Sequence, residues 1–100
     1  MTPVRYHAAF ADDLRVAIEF YGNDAVTASR IWDVLESVEA LMVRHPTMFR
    51  LFDEPLRRAY LAPFDLFLVY IVDADGVHVL ALLDGRRDPA WNRSELNRRI

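Results

Sequence analysis

Twelve arginines and no lysine supply all the strong positive charge of this 100-residue chain. Two adjacent pairs stand out by position. Arg57-Arg58 opens an apolar stretch and Arg86-Arg87 leaves another. A guanidinium is planar, carries five donors in a fixed fork, and favours bidentate pairing with carboxylates and stacking on rings. If the two stretches are strands of one sheet, the pairs converge near its end or rim. Successive strand residues point to opposite faces, so only one of Arg57 and Arg58 can serve a given site. Two readings stay open. The pairs form a partner-binding surface, or they form surface ion pairs with Asp53, Glu54, Asp84 and Asp88, a kind of contact that contributes little to stability.

Other chemistries find less support. His7, His45 and His78 fall on different elements without ligand-like spacing, and the chain has no cysteine. No metal site, cofactor or thiol nucleophile is therefore expected. Ser29, Ser37 and Ser94 lie outside any nucleophile-elbow context, and the three glycines form no phosphate-cradling loop. Cleavage of RNA requires a base for the 2′-hydroxyl, an acid for the leaving oxygen and cations on the phosphate. Arg58, Tyr70 and His78 contain parts of that set, but no spacing rule brings them together. The net charge of −3 also argues against a grip on bulk nucleic acid, which needs an excess of cations.

The elements that must position these residues follow from periodicity. Val4 to Ala8 reads as a short strand. Phe10, Leu14, Ala17, Ile18 and Tyr21 recur at three and four and form one face of a helix, with Asp12 and Asp13 at its positive end. Gly22-Asn23 ends it. Asn23 or Asp24 caps a second helix that runs to His45 before Pro46. Its apolar stripe is Ala28, Ile31, Trp32, Leu35, Val38, Leu41 and Met42. The short connection makes the two helices an antiparallel hairpin. Residues 46 to 56 read as a loop. Strands follow at Leu56 to Leu61, Leu66 to Val72 and Val77 to Leu83, with Asp73-Ala74-Asp75-Gly76 as a hairpin turn. A short helix is expected from Ser94. The fold class is α+β, in the order β-α-α-β-β-β, with the helical hairpin on one face of a mostly antiparallel sheet and residues 1–100 as a single domain. No apolar run is long enough to span a bilayer and no signal peptide is visible, so a cytoplasmic location is expected.

An antiparallel sheet with one wet face alternates apolar and polar residues. Here Phe67, Val69 and Ile71 point one way, and Leu68, Tyr70 and Val72 the other. Two helices cover one face. The second needs the tail, the long loop or another protein.

The stretch RRAYLAPFDLFLVYIVDADGVHVLALLDGRRDP resembles the C-terminal half of RelE/ParE-family toxins: an R-R strand, an aromatic strand with Y-x-V, a D-G turn, a V-x-V-L strand and a closing G-R-R-D. In the front half, F-x-x-D-L-x-x-A-I-x-x-Y followed by a long helix ending in H-P is also similar. The resemblance implies a RelE/ParE-like toxin fold, growth arrest as activity, and an antitoxin that wraps the toxin with an extended, partly helical segment. Asp84 stands where many relatives carry histidine, and Phe49 replaces the glycine of P-x-x-G-R. Together with the acidic balance, these departures favour the ParE-like branch over the RelE-like ribosome-dependent mRNA endoribonucleases. That branch implies a ParD-like antitoxin in a hetero-oligomer, DNA gyrase as target, no catalytic residues to carry over, and no direct contact of the toxin with DNA or membrane. Leu14, Ile18, Tyr21, Trp32, Arg57, Arg58 and Tyr70 are the expected antitoxin contacts. Arg86, Arg87, Asp88 and Trp91 are the expected target contacts.

Overall fold

The computed structural model describes residues 2–100. Its elements are β1 (Val4–Tyr6), α1 (Phe10–Phe20), α2 (Ala25–Arg44), β2 (Arg50–Asp53), β3 (Leu56–Tyr60), β4 (Leu66–Asp73), β5 (Gly76–Asp84) and α3 (Pro89–Arg99). The strands form one sheet in the order β1-β5-β4-β3-β2. β1 runs parallel to β5 and every other neighbouring pair is antiparallel. The expected α+β architecture is present with two additions. The loop at 46 to 56 contains the edge strand β2, and the tail helix begins at Pro89 rather than Ser94.

Local chemistry accounts for the helix boundaries. Gly22 and Asn23 take positive φ of 137° and 50°, which frees the chain to turn between α1 and α2. The Asp24 carboxylate then accepts from Thr27 N–H at 2.7 Å and caps α2, satisfying one of the free N–H groups of its first turn. Asp88 accepts from Ala90 N–H at 2.8 Å, and Pro89 occupies the first position of α3, where a missing N–H costs nothing. At the β4–β5 turn Gly76 has φ of 122°, and a Cβ there would stand 2.4 Å from the Pro3 carbonyl oxygen. Val77 N–H bonds to that same carbonyl at 2.9 Å, so the close approach seats β1 on β5.

The sheet separates two apolar cores. On one face Phe10, Leu14 and Ala17 of α1 and Ile31, Leu35, Val38 and Met42 of α2 pack over Leu66, Leu68, Tyr70, Val77, Val79 and Leu82. On the other, Leu96 of α3 covers Leu56, Phe67, Val69, Leu80, Ala81 and Leu83, with Phe52 of β2 folded in at the margin. A bulge in β5 sets the partition. Val69 pairs with Ala81 and Tyr70 with Val79, leaving Leu80 unopposed. Leu80 and Ala81 therefore both enter the second core, and Leu82 returns to the first. The tail and β2 are what shelter the second face. The need for another chain to complete it, one of the three possibilities read from the sequence, is removed.

Asp13 and Arg99 lock that cover in place. Arg99 donates to Asp13 through both terminal nitrogens, at 2.5 and 2.9 Å, and to Leu80 C=O at 3.1 Å. Asp13 also accepts from Leu82 N–H at 3.0 Å. One buried ion pair thus ties α1 to α3 and satisfies two backbone groups of β5 beyond the end of β1. The hydrogen bond to Asp13 raises the affinity of Arg99 for its proton, against the opposing effect of burial, and the Asp13 charge adds to it.

Candidate partner-binding surfaces

The helical hairpin carries an apolar groove of about 590 Å³, walled by Phe10, Leu14 and Ile18 of α1 and Trp32 and Leu35 of α2, with Tyr6 of β1 closing one end. The i, i+4, i+8 spacing of Phe10, Leu14 and Ile18 places them on one helix face. That face is wider than the sheet can cover, so its margin opens to solvent. Trp32 is 46% exposed although it belongs to the apolar stripe of α2. The Tyr6 hydroxyl donates to the Glu39 carboxylate across the groove. Burial, and then the hydrogen bond to and charge of Glu39, push the Tyr6 phenol up, so it stays protonated. At the rim Arg15 bridges Asp12 and Glu19 at 2.7 and 2.6 Å. The result is a greasy trough with a charged border, the shape that takes an amphipathic helix.

The opposite side of the molecule is arginine-rich. Arg58 leaves β3 on the second face, and its guanidinium packs over the rings of Phe52, Tyr60 and Phe67 at 5.2, 5.5 and 6.0 Å. It shares a cavity of about 410 Å³ with Arg87, Tyr60, Asp65, Asn92 and Leu96. Arg87 stacks on Trp91 at 4.0 Å. Arg86 turns the other way. It binds Asp84 through two nitrogens, at 2.9 and 2.7 Å, and lies over Phe20 at 3.7 Å. The Arg86 contact holds the Asp84 carboxyl below its usual range, against partial burial. Phe20 is 60% exposed, so this edge presents a ridge of Phe20, Arg86, Arg87 and Trp91.

The two arginine pairs do converge, but by one member each. Arg58 and Arg87 share the cavity, while Arg57 lies on the helix face. There it donates to the Thr47 and Phe49 carbonyls at 3.0 and 2.9 Å and holds the chain between α2 and β2. Of the expected antitoxin contacts, Leu14, Ile18 and Trp32 meet in the groove, and Arg57 and Arg58 lie outside it. Tyr21 lies outside it too. Its ring packs edge-on against Phe64 at 5.1 Å, and its hydroxyl accepts from Asp65 N–H at 2.9 Å. Tyr70 is a correction. It is completely buried, with its hydroxyl donating to Pro46 C=O at 2.9 Å, because the alternation of β4 turns it under α2. Burial, the largest influence, raises the Tyr70 phenol. Of the expected target contacts, Arg86, Arg87 and Trp91 form the exposed ridge, and Asp88 caps α3. Phe20, Tyr60 and Asn92 join these surfaces without a signal in the sequence. Phe20 lies beside the Tyr21 that closes the α1 stripe, and no spacing links Asn92 to Arg58.

The nucleolytic set considered from the sequence is dispersed. Tyr70 pairs with Arg57, so its side chain shares the face of Arg57 and opposes that of Arg58. His78 contacts Asp73 at 3.1 Å near the β4–β5 turn, and His7 accepts from Ala9 N–H at 3.0 Å. Among the described residues no group of three or more His, Cys, Asp or Glu side chains is arranged to hold a metal ion, and no helix is long and apolar enough to cross a membrane.

Comparison with known proteins places this arrangement. No curated protein sequence matches. A copper-bound mutant toxin from Helicobacter pylori has a similar solved structure, with a TM-score of 0.61 over 84% of this chain and 94% of that one at 22% identity, a likeness of fold. Residues 4–89 match the profile of the family described as ParE toxin of type II toxin-antitoxin system, parDE. With β1 through the start of α3 inside that match, the chain belongs to the ParE toxin family of type II toxin–antitoxin systems, whose members are paired with an antitoxin protein.

Proposed function

We propose that this chain arrests growth by binding DNA gyrase and is neutralised by a ParD-like antitoxin whose amphipathic helix lies in the α1–α2 groove. The observation that carries the antitoxin part is the half-exposed Trp32 above Leu14, Ile18 and Leu35. A large ring anchored in an apolar trough is the kind of residue that dominates binding energy at interfaces. The family match supports gyrase as the target, and the exposed ridge of Phe20, Arg86, Arg87 and Trp91 is the proposed contact. Arginine and aromatic side chains are enriched at such surfaces. The action is by occupancy rather than catalysis. The runner-up, cleavage of ribosome-bound message, draws on Arg58, Arg87 and Tyr60 around one cavity, but the net negative charge opposes approach to a polyanion.

The test is a plasmid supercoiling assay with purified gyrase and toxin, run beside a ribosome-bound message cleavage assay. Inhibited supercoiling with intact message is expected, with activity restored by the antitoxin from the neighbouring reading frame. Cleaved message with unaffected supercoiling would replace this reading with the nuclease one.

A further inference from the structure

Five of the twelve arginines of this acidic chain are neutralised by ion pairs. Arg15, Arg86, Arg93, Arg98 and Arg99 each meet a carboxylate. Arg58 and Arg87 form no ion pair among the described residues, and both line the cavity beneath α3. Arg58 is held there by rings, and its Nε is buried without a hydrogen-bond partner. A second observation points to the same place. Asn92, only 8% exposed, lines the cavity, gives its amide N–H to Asp84 C=O at 3.1 Å, and leaves its buried Oδ1 without a donor. Buried polar atoms are costly to leave without partners, so two on residues lining one cavity mark a place where a ligand would repair a deficit.

We propose that this cavity receives a carboxylate side chain of the target protein, clasped by the guanidinium groups of Arg58 and Arg87. The inference rests on the reading of the chain as a target-binding toxin and names the chemistry of the contact. A carboxylate matches the guanidinium fork bidentately, and the stacked rings keep the Arg58 fork oriented. The cavity also discriminates. Asp65 is the carboxylate among its lining residues, and Arg93 is already paired with Asp53. The walls thus carry a modest positive excess that suits one singly charged group better than a run of phosphates. The unpartnered Asn92 Oδ1 adds an acceptor for an N–H that accompanies the carboxylate, as a peptide segment supplies. The cavity lies on the opposite face of the sheet from the helical groove, so the two surfaces serve different partners.

The experiment is a titration of the intact 15N-labelled protein, reading the arginine Nε–Hε resonances. The probe is N-acetyl-glutamate α-amide, with N-acetyl-glutamine α-amide, inorganic phosphate and a short single-stranded RNA as comparison arms. Saturable shifts of the Arg58 and Arg87 signals with the glutamate probe alone are expected, with their loss in Arg87→Gln, whose exposed side chain leaves the core untouched. No shift, an equal shift with the glutamine analogue, or tighter binding of phosphate or RNA would overturn the proposal. A parallel arm measures supercoiling inhibition. Arg87→Gln and the charge-preserving Arg58→Lys should each weaken it at least tenfold at unchanged antitoxin affinity. Loss of antitoxin affinity alone would overturn the assignment to the target. If the wild-type chain does not inhibit gyrase, it is the gyrase reading that fails, and the titration still decides the cavity.

Discussion

The two faces of the sheet are covered in different ways. On the first, two helices supply seven buried side chains, yet an apolar groove stays open at the margin because the apolar faces of α1 and α2 are wider than their contact with the sheet. On the second, one short helix contributes a single buried leucine, Leu96, and closure depends on the Asp13–Arg99 pair, on Phe52 and on arginine stacking. The first face is stabilised by area and is left with a greasy surface. The second is stabilised by a few directional contacts and is left with a charged one. Affinity for an amphipathic helix and affinity for an acidic group thus come from the same sheet, divided by how each side is sealed.

The largest effect should come from breaking the seal. Asp13→Ala leaves the Arg99 guanidinium and Leu82 N–H buried without their partner and should cost about 3–5 kcal/mol, read as a fall in the urea midpoint. An equal loss from Asp12→Ala, which removes an exposed pair on the same helix, would contradict the contrast between the faces. Leu96→Ala should cost about 2–4 kcal/mol, and hydrogen exchange should show α3 opening before α1 and α2. Uniform opening of all three helices would show that the second face is no weaker than the first.

Trp32→Ala separates binding from stability. Half-exposed, it should change folding by under about 1 kcal/mol while weakening antitoxin binding by about 2 kcal/mol or more, measured by calorimetry against the intact antitoxin. Asp24→Ala removes the cap of α2 and should lower the urea midpoint by less than any of the core substitutions. It should also blunt acid sensitivity. The Thr27 hydrogen bond lowers the Asp24 carboxyl, the Asp75 N–H lowers that of Asp73, and Arg86 lowers that of Asp84. A carboxyl held low in the folded state adds stability above its unfolded value, about pH 3.9. That contribution disappears as pH falls through the folded value. Stability should therefore be flat through neutral pH and decline below about pH 4, less steeply in Asp24→Ala.

Much of the frame was legible in the chain. The α1–α2 hairpin follows from three- and four-residue spacing broken at Gly22-Asn23, and β4 and β5 from two apolar runs around a D-x-D-G turn. β2 was not legible, because four residues, Arg50 to Asp53, are too few to show alternation, and a bulge at Phe52 breaks the register. The early start of α3 is hidden in the sequence for a different reason. Asp88-Pro89 is a cap followed by a proline, but a helix with so few apolar residues gives no periodic stripe to extend back to it. The face assignment of Arg57 and Arg58 followed from strand alternation. Which of them would meet Arg87 did not, since that depends on where α3 lies.

Sequence alone determined the element types, the division of β4 into two apolar faces, the opposition of Arg57 and Arg58, and the resemblance to RelE/ParE toxins. Each of these is set by local periodicity, turn residues or ordered motifs. Only the tertiary structure decided that the chain covers its own second face, that Tyr70 is interior, that Asp13 meets Arg99 across 86 positions, and that Arg58 and Arg87 share a cavity. Those outcomes depend on the packing of α3 against the far side of the sheet, and distant contacts of that kind leave no period or spacing in the sequence.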